Sequence, residues 1–177
     1  YTMKSADFSQ SHYDWANMLP DYNYPVSATK EQEDAVALLM NDVGVASFMQ
    51  YTPVSSGTQG IFAYQALQKN FDYTAAYATK AVEGPTRFAQ ILRQELLNGC
   101  PVYLEGRPAG KASGHAWVTD GFDENGLFHM NFGWDGQGDA YYSLTNLSLS
   151  QTGSEFQGKP LAFNRAIMAI LAHPNNG

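Results

Sequence analysis

The residues best suited to chemistry lie in two short stretches, Gly114-His115-Ala116-Trp117-Val118-Thr119-Asp120-Gly121 and His129-Met130-Asn131-Phe132-Gly133-Trp134-Asp135-Gly136. Each reads as a β-strand, and the polar turn Phe122-Asp123-Glu124-Asn125-Gly126 joins them. A histidine opens the first strand, and an asparagine followed by a tryptophan closes the second. Such a set can hold an imidazole in one tautomer and shield it from water, which a general base requires. The plainer alternative is a structural histidine satisfied by a backbone carbonyl.

Strand register makes the idea testable. Side chains alternate faces with period two, so His115 and Asn131 share a face only if paired residue numbers have an even sum. A four-residue loop, Asp123 to Gly126, closes on Phe122 and Leu127 and turns the two residues apart. A five-residue loop, Gly121 to Asn125, closes on Asp120 and Gly126 and sets His115 directly opposite Asn131. The second register is the one expected.

With Gly138-Asp139-Ala140-Tyr141-Tyr142 added, these stretches resemble the streptopain family of bacterial secreted cysteine peptidases, within the papain-like superfamily. The resemblance extends upstream through Tyr13-Asp14-Trp15-Ala16-Asn17-Met18-Leu19-Pro20, Leu39-Met40-Asn41-Asp42-Val43-Gly44-Val45 and Tyr51-Thr52-Pro53-Val54-Ser55-Ser56-Gly57. Ala66-Leu67, Asn70-Phe71-Asp72-Tyr73 and Pro101-Val102-Tyr103 continue it in order along nearly the whole chain. It implies a papain-like α+β fold. It also implies His115 as general base and acid, Asn131 as acceptor for the other ring N–H, and Trp134 as a cover over that hydrogen bond. Gly114 and the preceding loop from Ala109 to Ser113 would wall a substrate cleft. Ser56, Gly57 and Thr58, otherwise a Ser/Gly connector, correspond to a loop that borders the cleft in that family.

Such an enzyme also needs a cysteine thiolate at a helix N-terminus. The sole cysteine, Cys100, lies between Gly99 and Pro101 behind a predicted helix, at the negative end of its dipole, where a thiol pKa rises. It is expected to be a small buried hydrophobe. The family's cysteine lies far upstream in a Gly-x-Cys-Val-Ala-Thr-Ala-like stretch that this sequence lacks. The chain therefore reads as the C-terminal portion of a mature enzyme, with the nucleophile supplied by a missing N-terminal segment or a companion chain.

The elements that position these residues are legible in part. Thr29 and Gln32 form a capping-box pair ahead of an apolar stripe at Ala35, Val36, Leu38, Leu39 and Val43, with Gly44 as the expected stop. A short helix is predicted over Ile61 to Asn70 and another over Thr86 to Asn98. Strands are predicted over Pro101 to Glu105, Tyr141 to Leu144 and Arg165 to Leu171, the last closing the sheet. Ser148 to Pro160 reads as a polar insertion. Helices first and antiparallel strands after is an α+β order. The 177 residues are read as one catalytic-domain portion, mainly helical over 29–99 and mainly β over 100–177.

Composition bounds the alternatives. At 44% hydrophobic and 14% aromatic residues the chain is globular. A net charge of −7 with no basic cluster argues against nucleic acid or an anionic membrane as partner. No apolar run reaches the roughly 18 residues of a membrane span. Tyr1-Thr2-Met3-Lys4 has neither an initiator methionine nor a signal-like apolar core, as expected of a processed product. His129 reads as structural, His12 and His173 fall in predicted loops, and no metal or other cofactor is expected. The resemblance implies a protein or peptide substrate, an N-terminal propeptide in the zymogen, and export to the periplasm or the outside of the cell. The competing readings are an inactive relative that binds peptides or inhibitors, and an aromatic-rich carbohydrate or adhesion module using Trp117, Trp134, Tyr141 and Tyr142.

Overall fold

A computed structural model describes residues 4–22, 25–53, 55–152 and 161–175. The chain divides into two units, Tyr1–Asp72 and Tyr73–Gly177. The strand and helices just after this boundary belong to the second unit.

In the first unit, helix α1 (Lys30–Ala46) starts at the predicted capping box: Thr29 Oγ1 accepts from Gln32 N–H, and Gln32 Oε1 accepts from Thr29 N–H. Gly44 does not end it. That glycine is buried inside the helix, and the Tyr51 hydroxyl occupies the place a Cβ would take. The stripe is less buried than its pattern suggested, since Leu38 and Val43 stay exposed while Ala35 and Asp42 are buried. Ser11 and Tyr13 hydroxyls donate to Asp42 at 2.5 and 3.0 Å, pinning the N-terminal segment to the helix. Burial pushes the Asp42 carboxyl up, but hydrogen bonds from Ser11, Asn41 and Tyr13 outweigh it and hold the group below the usual carboxylate range. Strands β1 (Gln50–Tyr51) and β2 (Ser56–Gly57) form a small hairpin where a loop was expected, and α2 (Gly60–Asn70) follows.

The second unit is a six-stranded antiparallel sheet of order β3-β8-β4-β5-β6-β7. Its elements are β3 (Tyr73–Thr79), α3 (Lys80–Glu83), α4 (Pro85–Leu97), β4 (Val102–Arg107), β5 (His115–Phe122), β6 (Phe128–Asn131), β7 (Ala140–Tyr142) and β8 (Arg165–Pro174). Pro85 opens α4, and Gly99, at φ 76°, turns the chain away after it. Strand β3 gave no sequence signal, because Ala75, Ala76 and Ala78 supply little alternating contrast. Strand β8 does not close the sheet. It lies inside, between β3 and β4. Strand β4 is not sealed on both faces: Val102, Leu104 and Gly106 are buried while Tyr103 and Glu105 are half-exposed.

One face of this sheet carries the core. Phe88 and Leu92 of α4 pack there with Val102, Leu104, Trp117, Phe128, Met130, Phe132, Tyr142 and Ala169. Phe88 and Leu92 are fully buried, each contributing about 1.5–3 kcal/mol over an exposed position. Of the predicted insertion, Leu149–Thr152 form a 3-10 turn, and 153–160 lie outside the described residues.

Candidate active site

His115 opens β5, opposite Gly106 of β4. Alternation along β5 buries Trp117 and Thr119 on the face His115 shares, and exposes Ala116 and Val118 on the other. The imidazole lies among aromatic rings: Trp134 is stacked at 4.3 Å between centroids and 27°, with Phe163 at 5.6 Å and Trp117 and Phe132 both at 6.3 Å. Its Nε2–H donates to the Phe132 carbonyl oxygen at 2.8 Å. A carbonyl can only accept, so the neutral ring carries its proton on Nε2 and keeps a lone pair on Nδ1. Burial lowers the His115 pKa from its ordinary 6.5, and the Phe132 bond only partly opposes it.

The acceptor is therefore not the one expected. Beside the turn, β5 and β6 pair Phe122 with Phe128 and Gly121 with His129. Asp120 is then an extra residue, and beyond it Thr119 faces Met130 and Val118 faces Asn131. The loop itself is closed by Asp123, whose N–H donates to the Leu127 carbonyl and whose carboxylate accepts the Leu127 N–H at 2.7 Å. The bulge reverses parity, so the expected His115–Asn131 pairing does not form. Asn131 lies with Val118 on the exposed face, and its Oδ1 accepts from Gly133 N–H at 3.0 Å. The turn residues gave no sign of this bulge.

After β6 the chain coils through residues at positive φ, Gly133, Asp135, Gly136 and Gly138. Trp134 is returned over His115, and the Asp139 carboxylate reaches the Phe132 N–H at 2.9 Å. Asp139 was missed as a site residue; its place in the Gly138-Asp139-Ala140 run was the only signal.

Ala109, Ser113 and Gly114 are exposed just ahead of the imidazole. Gly114 is needed for fit, because a Cβ there would meet the Gly106 carbonyl oxygen and Arg107 Cγ. Replacing Gly114 with alanine is expected to cost about 1–3 kcal/mol. A fall in Tm, with a matching fall in activity as His115 is displaced, checks it. In the first unit, Ser56 and Gly57 are exposed hairpin residues, and the Thr58 hydroxyl donates to the Ser47 carbonyl at 2.5 Å.

Cys100 is half-buried, less sheltered than a packing residue, with its thiol 3.8 Å from the Asn98 carbonyl. It precedes Val102, which faces Thr119, whereas His115 faces Gly106. Those positions are four residues apart along β4, roughly 13 Å, and Cys100 lies beyond the far one. It cannot be the thiol that His115 serves. His173 is on β8, not in a loop, and its Nε2 lies 2.5 Å from Glu95 Oε2. Glu95, Cys100 and His173 bring ligand-type atoms within 4.8 Å of one another. The Glu95–His173 contact is a side-chain hydrogen bond. His129 bonds Asp120 at 2.6 Å on the exposed face.

The match to a family model decides the lineage: residues 1–142 fit that of the peptidase C10 family. The chain belongs to the peptidase C10 family. Among C10 relatives, streptopain of Streptococcus pyogenes serotype M28 is 36% identical over 152 residues, covering 84% of this chain and 37% of its own. The thiol protease/hemagglutinin PrtT of Porphyromonas gingivalis is 33% identical over 158 residues, covering 87% of this chain and 18% of its own. The chain thus spans well under half of these relatives. Active wild-type interpain A, a cysteine protease of Prevotella intermedia, superposes with a TM-score of 0.80 at 34% identity, covering 93% of this chain and 65% of that one. A mutant prointerpain A fragment of the same organism gives 0.72 at 32% identity, covering 93% and 49%. The α+β papain-like fold expected from the sequence is the fold of these C10 proteins.

Proposed function

We propose that this chain supplies the basic half of a cysteine endopeptidase centre, with the thiol contributed from outside these 177 residues by an N-terminal segment or a companion chain. The observation that carries this is the state of His115. Its Nε2 is committed to Phe132, Trp134 covers that bond, and Nδ1 remains able to take a proton. In the reaction Nδ1 accepts the thiol proton and the thiolate attacks the peptide carbonyl carbon. The imidazolium then protonates the leaving amine, and water, activated by the same ring, hydrolyses the acyl-enzyme.

The first unit supports an outside contribution, since Met40, Val43, Phe48, Tyr51 and Ile61 are all at least 40% exposed, and apolar side chains in such number suit cover by a further segment. Substrates are proteins or peptides, with a hydrophobic residue favoured two positions before the cleaved bond by family resemblance. On the same basis Ala109, Ser113, Gly114, Ser56, Gly57 and Thr58 are assigned to the substrate, a propeptide precedes the mature enzyme, and the protein works outside the cytoplasm. Among the described residues no helix is long and apolar enough to cross a membrane. Trp117 is buried, so it offers no face to a glycan.

An epoxide inhibitor of the E-64 type tests the proposal on the intact protein. Label should appear on a cysteine outside this chain and block peptide hydrolysis. Cys100→Ser should retain full turnover. Hydrolysis by the isolated chain, or label on Cys100 that abolishes activity, would refute it.

A further inference from the structure

Two hydrogen bonds grip the backbone on either side of Phe132, and neither has a role in the reaction as described so far. The carbonyl that accepts from His115 belongs to the Phe132–Gly133 peptide, and the N–H of that same peptide donates to Asn131 Oδ1 at 3.0 Å. The preceding peptide, Asn131–Phe132, donates its N–H to Asp139 Oδ1 at 2.9 Å. Between them sits the Phe132 side chain, 1% exposed and fixed in the core.

We propose that Asn131 and Asp139 are positioning residues that together hold the Phe132 carbonyl on the His115 ring, each gripping one of the two peptides that flank Phe132. A peptide plane with only its carbonyl engaged can rock about its Cα bonds. One with its N–H also engaged cannot, and the second bond polarises the first to strengthen it. The Asp139 bond is charge-assisted and spans the turn of left-handed residues after β6, so it also fixes where Trp134 returns. Asn131 thus acts on the imidazole through a peptide, from the opposite face of the sheet.

This inference rests on His115 being the catalytic base, and the test separates the two. In 15N-histidine-labelled protein, the His115 Nε2 proton should exchange slowly with water. Asn131→Ala and Asp139→Ala should each speed that exchange and lower kcat/KM roughly three- to tenfold, chiefly through kcat. Asn131→Asp and Asp139→Asn keep an acceptor oxygen and should restore most of both readouts. Asn131 is exposed, so its variants should fold. Unchanged proton exchange in both alanine variants, or no rescue by the conservative ones, overturns the inference. If instead His115→Ala leaves turnover intact while exchange responds as stated, the base assignment fails and the backbone clamp stands.

Discussion

Peptide turnover should fall roughly a hundred- to ten-thousandfold when His115 is replaced by alanine, the range a positioned general base contributes. The ring provides the only imidazole with Nε2 tied to a backbone carbonyl among the described residues, leaving Nδ1 to accept the thiol proton. The fold should survive, since the aromatic group around the ring is anchored independently by Trp117, Phe132 and Phe163, all at most 3% exposed. Steady-state kinetics on the intact protein, beside a circular dichroism melt, give the check. Near wild-type turnover in a folded variant would remove the basis for the proposed centre.

Trp134→Ala is expected to have the next largest effect, on three readouts at once. The indole stacks on the imidazole, and in the proposed centre it serves to keep water from the Nε2–H···O=C bond. Its loss should lower kcat/KM roughly tenfold, as water competes for the carbonyl. A half-buried tryptophan removed from this group should cost about 2 kcal/mol of stability. The third readout is the titration of His115. Burial is the main reason its pKa lies below 6.5, so removing the cover should move the midpoint up toward that value. The stability consequence follows from linkage. As pH falls from the ordinary histidine range toward the depressed folded value, the unfolded chain takes up the proton first, and acid therefore favours unfolding. The His115 share of that acid sensitivity should shrink in Trp134→Ala. A histidine NMR titration and melts between neutral pH and about pH 5 provide the measurement, and a midpoint that moves down would contradict the account.

Much of the site was readable from residue types alone. The strand that places His115, a polar turn after it and the return through Asn131 to Trp134 all follow from alternation and turn chemistry, which act over a few residues. The expected loop from Gly121 to Asn125 did not form, since Gly121 and Phe122 are paired in the ladder. The capping box at Thr29 and Gln32 was legible for the same reason, since cap and partner are neighbours in sequence. Cys100 could be set aside as nucleophile from its place behind α4, and its distance from His115 along β4 agrees. Its expected burial did not hold: Cys100 is only half-buried, and burial depends on packing that the local sequence does not specify.

The sequence by itself determined which side chains are candidates for the proposed centre: an imidazole at a strand start, an asparagine and a tryptophan on the returning strand, and a single cysteine behind a helix. Only the tertiary structure decided how they connect. One extra residue at Asp120 shifted the β5–β6 pairing, sent Asn131 to the exposed face and left the Phe132 carbonyl to receive the His115 proton. Likewise β8 runs inside the sheet, and Asp139 reaches Phe132 across a turn. Alternation specifies a face only relative to a register, and register is set by bulges and by partners distant in the chain.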